Sequence, residues 1–191
     1  MTREPQKDGR LKETPSQTAG PYVHIGTAPQ SIGREPLPNQ PGPVAYDGAD
    51  SITIEGVIYD GAGEPVRDAM VEFWGADAQG RTGEHGLFGR ATSDFKTGEF
   101  RFQTVKPGQM KEGLAPRIDF LIFARGINLH LHTRIYFQED QALVEADPEL
   151  RRVAPKSRAT LIAQRIDGGA KAAYRFDVNL QGENETVFFD V

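Results

Sequence analysis

A chain of 191 residues with 38% hydrophobic and 26% charged side chains is long enough for one domain with a real core and short for two. A net charge of −5 without a basic cluster argues against a nucleic-acid partner, and the lack of cysteine excludes disulfides, zinc–thiolate sites and cysteine nucleophiles. No apolar run reaches the length of a membrane span, and MTREPQKDGRLKE at the start lacks the apolar core of a signal peptide, so the cytoplasm is the expected compartment.

Residues 1–13 are polar and are expected to be disordered or draped on a partner. Thr14–Gly26 follows, then a loop-like stretch to Asp50 that holds Pro29, Pro36, Pro38, Pro41 and Pro43. A leader of that size without regular structure rarely serves a lone domain, and Tyr22, Val23 and Ile25 need burial. Residues 1–50 therefore read as an arm that wraps another subunit, and residues 51–191 as the folded domain.

Strands begin at Ser51, where Ile52, Ile54 and Ile58 alternate with Thr53, Glu55 and Val57. The turn Asp60-Gly61-Ala62-Gly63 leads into Val66–Trp74, in which Glu72 would need a partner if buried. Asp77–Ala91 is Gly-rich and polar and reads as a loop, and Phe100, Phe102 and Thr104 mark a strand ending at Lys106-Pro107-Gly108. Period-two alternation over Arg117–Ala124 and Leu129–Phe137, interrupted by Arg125-Gly126-Ile127-Asn128, predicts two antiparallel strands and a turn. The second of these sets His130, His132, Arg134 and Tyr136 opposite Leu129, Leu131, Thr133, Ile135 and Phe137. Asp147-Pro148 resembles a capped helix start, and a second short helix is expected over Ser157–Arg165. Tyr174–Leu180 reads as a strand and Glu185–Val191 as an edge strand. Seven or more short strands with few helices give a mainly β chain, a two-sheet sandwich or a barrel.

The face with two imidazoles, a guanidinium and a phenol is the chemical centre of interest. His130-x-His132 is a metal candidate, because residues two apart on a strand share a face, but a third ligand from Asp119, His24, His85 or a tyrosine would be required. The plainer reading is a solvated or interface surface, and a scaffold-only sandwich is a third possibility. Arg134 suits a carboxylate, which it can bind through two parallel hydrogen bonds, or else a surface salt bridge. Thr18-Ala19-Gly20-Pro21-Tyr22 could bring backbone N–H groups and a hydroxyl to a ligand, or could be a turn. Ser16 and Thr14 lack the Gly-x-Ser-x-Gly context of an esterase nucleophile, and no phosphate-binding glycine loop occurs.

Several stretches together carry a family pattern: Ile54-Glu55-Gly56-Val57-Ile58 through Gly63, Val66, Val71-Glu72-Phe73 and Gly80, then TPSQTAGPYVHIG, TVKPG, ARGINLHLHTRIYF, AYRFDV and GENETVFFD. From about Thr14 to Val191 the chain resembles the intradiol ring-cleavage dioxygenases, in particular the alpha subunit of a two-subunit member. The resemblance implies a two-sheet β-sandwich core with short helices and a long irregular N-terminal arm. It further implies an alpha–beta heterodimer repeated in a larger assembly, and insertion of O2 into 3,4-dihydroxybenzoate between its hydroxyl-bearing carbons. Iron-binding members hold Fe(III) by two Tyr and two His. The corresponding positions here are Thr82, Met110, Arg117 and Asp119, a set that cannot replace phenolates and imidazoles around a ferric ion. The resemblance thus implies Fe(III) on a separate beta subunit and none on this chain. It also places Thr18, Gly20, Pro21 and Arg134 at the border of that subunit's substrate pocket, and moves His130 and His132 one strand beyond the ligand pair.

Overall fold

The computed structural model describes residues 18–166, 169 and 171–190, so the polar segment 1–13, Thr14, Ser16 and Val191 lie outside the described residues. In chain order the elements begin with α1 (Pro21–Thr27), β1 (Ser51–Tyr59), β2 (Met70–Gly75), β3 (Leu87–Thr92) and β4 (Glu99–Val105). The hairpin β5 (Ile118–Phe123) and β6 (Leu131–Phe137) follows, then α2 (Gln141–Ala146) and α3 (Pro155–Arg158). The strands β7 (Ile162–Ile166), β8 (Ala173–Arg175) and β9 (Val178–Asn179) complete the set.

The strands follow one hydrogen-bonded path, β3-β2-β5-β6-β7-β8-β1-β4, with β9 also on β1. The β3-β2-β5-β6 half is antiparallel throughout and joins the other half by a two-residue parallel contact, Tyr136 with Ile162 and Phe137 with Ala163. The halves face each other across an aromatic core. Phe73 of β2 stacks on Phe102 of β4 with ring centroids 3.9 Å apart, and Phe120 of β5 meets Phe176 edge-on at 6.0 Å. Aromatic side chains of this size dominate the apolar area that a sandwich removes from water. The alternation of β1 places Ile52, Ile54 and Ile58 in the same core.

The path leaves β3 and β4 as its two ends, and the arm fills the seam between them. Arg90 on β3 donates its backbone N–H to the Gly42 carbonyl (2.9 Å), while Gln103 on β4 donates to the Pro43 carbonyl (2.7 Å) and accepts from Ala45 (2.9 Å). The described part of the arm is thus stitched to its own sandwich. Glu72 on β2 has the partner its setting demands, since it accepts from Arg90 Nε at 3.0 Å.

Several elements depart from the sequence expectation. The arm carries a helix, α1, in which Gly20 is the cap and Pro21 occupies the first turn, where the N–H that proline lacks has no partner to lose. Tyr22 and Ile25 on it are 83% and 42% exposed, and His24 is buried instead, bonded to Ser31 and to the Asp68 carbonyl. The loop expected over Asp77–Ala91 ends early in β3, whose alternation is hidden by Gly89; a Cβ there would come within 2.0 Å of the Phe73 ring. The helix expected over Ser157–Arg165 stops at a 3-10 turn, Ala159–Leu161, because Ile162 starts the strand that bridges the two halves. The strand expected over Tyr174–Leu180 breaks after Arg175, where the Phe176 carbonyl lies 1.8 Å from where a Cβ on Gly56 would be. Residues 185–190 run beside β6 with single bonds, such as Phe189 N–H to the His132 carbonyl at 2.8 Å, and form no strand. Asp147 starts no α-helix; its buried carboxylate instead caps the N–H groups of Glu149 (2.8 Å) and Ala115 (2.8 Å), just ahead of the single turn Leu150–Arg152, whose own N-cap is Glu149.

Candidate functional site

The inner sides of β5 and β6 give Ile118, Phe120, Thr133 and Ile135 to the sandwich interior, so alternation turns Asp119, His132, Arg134 and Tyr136 to the opposite side. Asp119 lies directly across from Arg134 in the antiparallel register, and Arg117 enters the same face two residues before Asp119. A second small apolar cluster of Ala115, Tyr136, Val144, Leu150 and Leu161, with Val187 and Phe189 against it, covers this face and takes it out of bulk solvent.

The charges gathered there form one network. Asp119 Oδ1 lies 3.1 Å from His132 Nε2, 3.4 Å from Arg134 Nε and 3.8 Å from Arg117 Nε. Glu149, set in place by the Asp147 cap, brings Oε2 to 2.7 Å from Arg134 Nη1 and 3.1 Å from Arg117 Nη1. The Arg134 guanidinium rests on the Phe189 ring at 4.3 Å. Burial opposes ionisation of Asp119, but the His132 hydrogen bond and the two guanidinium charges outweigh it and hold the carboxyl below the usual range. Burial pushes the Tyr136 phenol up, against the pull of Arg117 and Arg134. Arg117 Nε and Nη1, Arg134 Nε and the Tyr136 hydroxyl are all buried without an aligned hydrogen bond.

The other sequence candidates lie elsewhere. Thr18 accepts the backbone N–H of Gly126 through Oγ1 at 3.1 Å, which fastens the start of the described chain to the β5–β6 turn. Gly20 caps α1 and lines a groove with His24, Asp60, Val66, Asp68 and Arg125, and Pro21 follows in the first turn. Thr18 is thus placed at the β5–β6 turn and Gly20 and Pro21 at the start of α1, while Arg134 lies within β6 opposite Asp119. Thr82 is exposed, and Met110 is part of a turn packed on Gly80, whose φ of +79° and 2.1 Å separation between a Cβ and the Gln109 carbonyl admit only glycine.

His130 is exposed beside Phe123, His85 pairs loosely with Glu84 at 3.6 Å and His24 is tied to α1, so none of them joins His132. Among the described residues no group of three or more His, Cys, Asp or Glu could hold a metal ion. The four positions that correspond to a ferric site do not fit one: a hydroxyl, a thioether, a guanidinium and a carboxylate supply neither phenolate nor imidazole, and Arg117 with Arg134 would repel the cation. Sequence reasoning missed Glu149 and Phe189 as members of this network. The two-residue spacing of Arg117, Asp119, His132, Arg134 and Tyr136 on paired strands was the available signal; nothing local announces Glu149.

The dioxygenase family model matches residues 27–182, and the chain belongs to the intradiol ring-cleavage dioxygenase family. It is 43% identical to the protocatechuate 3,4-dioxygenase alpha chain of Pseudomonas putida, over 94% of this chain and 97% of that one. Against the protocatechuate 3,4-dioxygenase beta chain of Burkholderia cepacia the identity is 30%, over 90% of this chain and 77% of that one. The dioxygenase domain of a carbohydrate-binding fusion protein from Streptomyces sp. SirexAA-E shares the fold with a TM-score of 0.62 at 20% identity, covering 92% of this chain and 100% of that one.

Proposed function

We propose that this chain is the alpha subunit of a protocatechuate 3,4-dioxygenase: it binds no iron itself and completes the substrate pocket of an Fe(III)-bearing beta subunit. That complex cleaves 3,4-dihydroxybenzoate with O2 to 3-carboxy-cis,cis-muconate, in aromatic catabolism through the beta-ketoadipate pathway. The observation that supports this most is the 43% identity to an alpha chain over nearly the full length, in a chain that has two guanidinia beside the ferric-ligand positions. Arg134 offers positive charge to the substrate carboxylate, while Thr18, Gly20 and Pro21 form a separate edge that shapes a pocket wall. Exposed Tyr22 and Ile25 on α1 give the arm an apolar surface for a neighbouring subunit within a higher-order alpha–beta assembly. An independent metalloprotein built on His130 and His132 is the weaker reading, because His132 is bonded to Asp119 between two arginines.

The purified chain alone is expected to bind no iron and to be inactive, and mixing with its beta subunit is expected to restore the ferric colour and turnover. In the assembled complex, Arg134→Ala is expected to raise KM for 3,4-dihydroxybenzoate about tenfold or more, the loss of one charge-assisted hydrogen bond. An unchanged KM would return the chain to a scaffold role.

A further inference from the structure

Arg134 is held by contacts of two kinds. Asp119 Oδ1 and Glu149 Oε2 meet nitrogens on the rim of the guanidinium, at 3.4 Å from Nε and 2.7 Å from Nη1. The Phe189 ring instead lies over its central carbon, with the ring centroid 4.3 Å away. Contacts on the rim pair the charge but leave a planar group free to tilt about them. A ring on the flat side fixes the tilt, because the attraction requires the cation to stay over the ring face. The two carboxylates are also the more solvated partners, with side chains 31% and 43% exposed.

Phe189, by contrast, is half-buried and gripped by its neighbours along the chain. The Val187 carbonyl accepts the Thr133 hydroxyl at 2.7 Å, and the Val187 N–H donates to Thr160 Oγ1 at 3.2 Å. Phe188 packs against the main core, while Val187 and Phe189 pack against the outer cluster. Phe189 donates its own N–H to the carbonyl of His132, two residues before Arg134 on β6, at 2.8 Å. The ring is therefore tied to the strand that carries the guanidinium it covers.

We infer that Phe189 is a positioning residue: its ring, anchored by the segment Thr186–Phe189, sets the plane of the Arg134 guanidinium and with it the affinity of the assembled complex for its carboxylate substrate. The inference rests on the reading of Arg134 given above and adds to it a residue that acts only through Arg134.

The test is made in the assembled complex with Phe189→Leu, with Phe189→Tyr, and with a trifluorinated phenylalanine at position 189. The last keeps the ring in place and weakens the negative potential of its face. Phe189→Leu and the fluorinated ring are each expected to raise KM for 3,4-dihydroxybenzoate about threefold or more with kcat unchanged, and Phe189→Tyr to restore KM. In an Arg134→Ala background neither change is expected to raise KM further, since the two residues act as one unit. A second readout needs no substrate. In the full-length chain the guanidinium protons of Arg134 are expected to resonate upfield under the ring, and to lose that shift in Phe189→Leu.

The inference is overturned if the fluorinated ring leaves KM unchanged or if Phe189→Tyr is impaired as much as Phe189→Leu. It is equally overturned if the substitutions keep their effect beside Arg134→Ala, or if the upfield shift is absent. The fluorinated ring decides the matter even where Phe189→Leu fails to assemble. An unchanged KM in Arg134→Ala alone would overturn the carboxylate reading itself, whereas a raised KM there with no effect at Phe189 would overturn only this inference.

Discussion

Asp119 pairs its charge with two guanidinia and hydrogen-bonds His132, and its carboxyl titrates lower in the folded chain than in an unfolded one. The sign follows from linkage. A carboxyl depressed on folding contributes stability that is fully present above its unfolded value of about 3.9 and is lost as pH falls through the lower folded value. Asp119→Asn removes that contribution, so the gap in urea midpoint between wild type and variant is expected to be widest near about pH 6 and to narrow below about pH 4. A gap independent of pH would place the role of Asp119 in packing instead. The contribution of Arg134 to binding is read in ligand affinity instead.

At the scale of elements, β3 is the instructive case. Gly89 interrupts its alternation, yet the strand pairs with β2 along its length because the Phe73 ring lies over that glycine. Gly89→Ala places a Cβ against a ring already stacked on Phe102, so a loss of about 1–3 kcal/mol from overpacking is expected in urea unfolding. A neutral result would mean that the ring moves freely. The same contrast explains what could be read from the chain. The strands β1, β4, β5 and β6 declare themselves because Ile54, Phe102, Phe120 and Ile135 recur with period two against polar neighbours. The element α1 was hidden by its seven-residue length, and β7 by its place after a helical turn. Of the site, Arg117, Asp119 and Arg134 follow from alternation. Glu149 does not, since a tertiary contact fifteen residues beyond Arg134 is set by the Asp147 cap and has no local pattern.

For the molecule as a whole, the arm closes the sandwich at its open side. The ends of the strand path, β3 and β4, are bound by Gly42, Pro43 and Ala45, so a chain begun at Ser51 would expose both edges. Unpaired edges are templates for association, and such a truncation is expected to form soluble aggregates or precipitate, detected by size-exclusion chromatography with light scattering. A monomeric, cooperatively melting truncation would show that the arm serves only the partner. On α1 of the same arm Tyr22 and Ile25 are turned outward, an apolar surface that its own domain leaves uncovered.

The seam has a further consequence in time. Pro43 leaves the ribosome long before Gln103, the residue whose N–H it accepts, so the strap must wait for some sixty residues of later chain before its seat exists. During that wait a strap from one nascent chain and the open seam of another are chemically equivalent partners, and exchange between them would build a swapped pair held by native bonds. Closure of the strap over its own edges occupies the bonds that such an exchange would use.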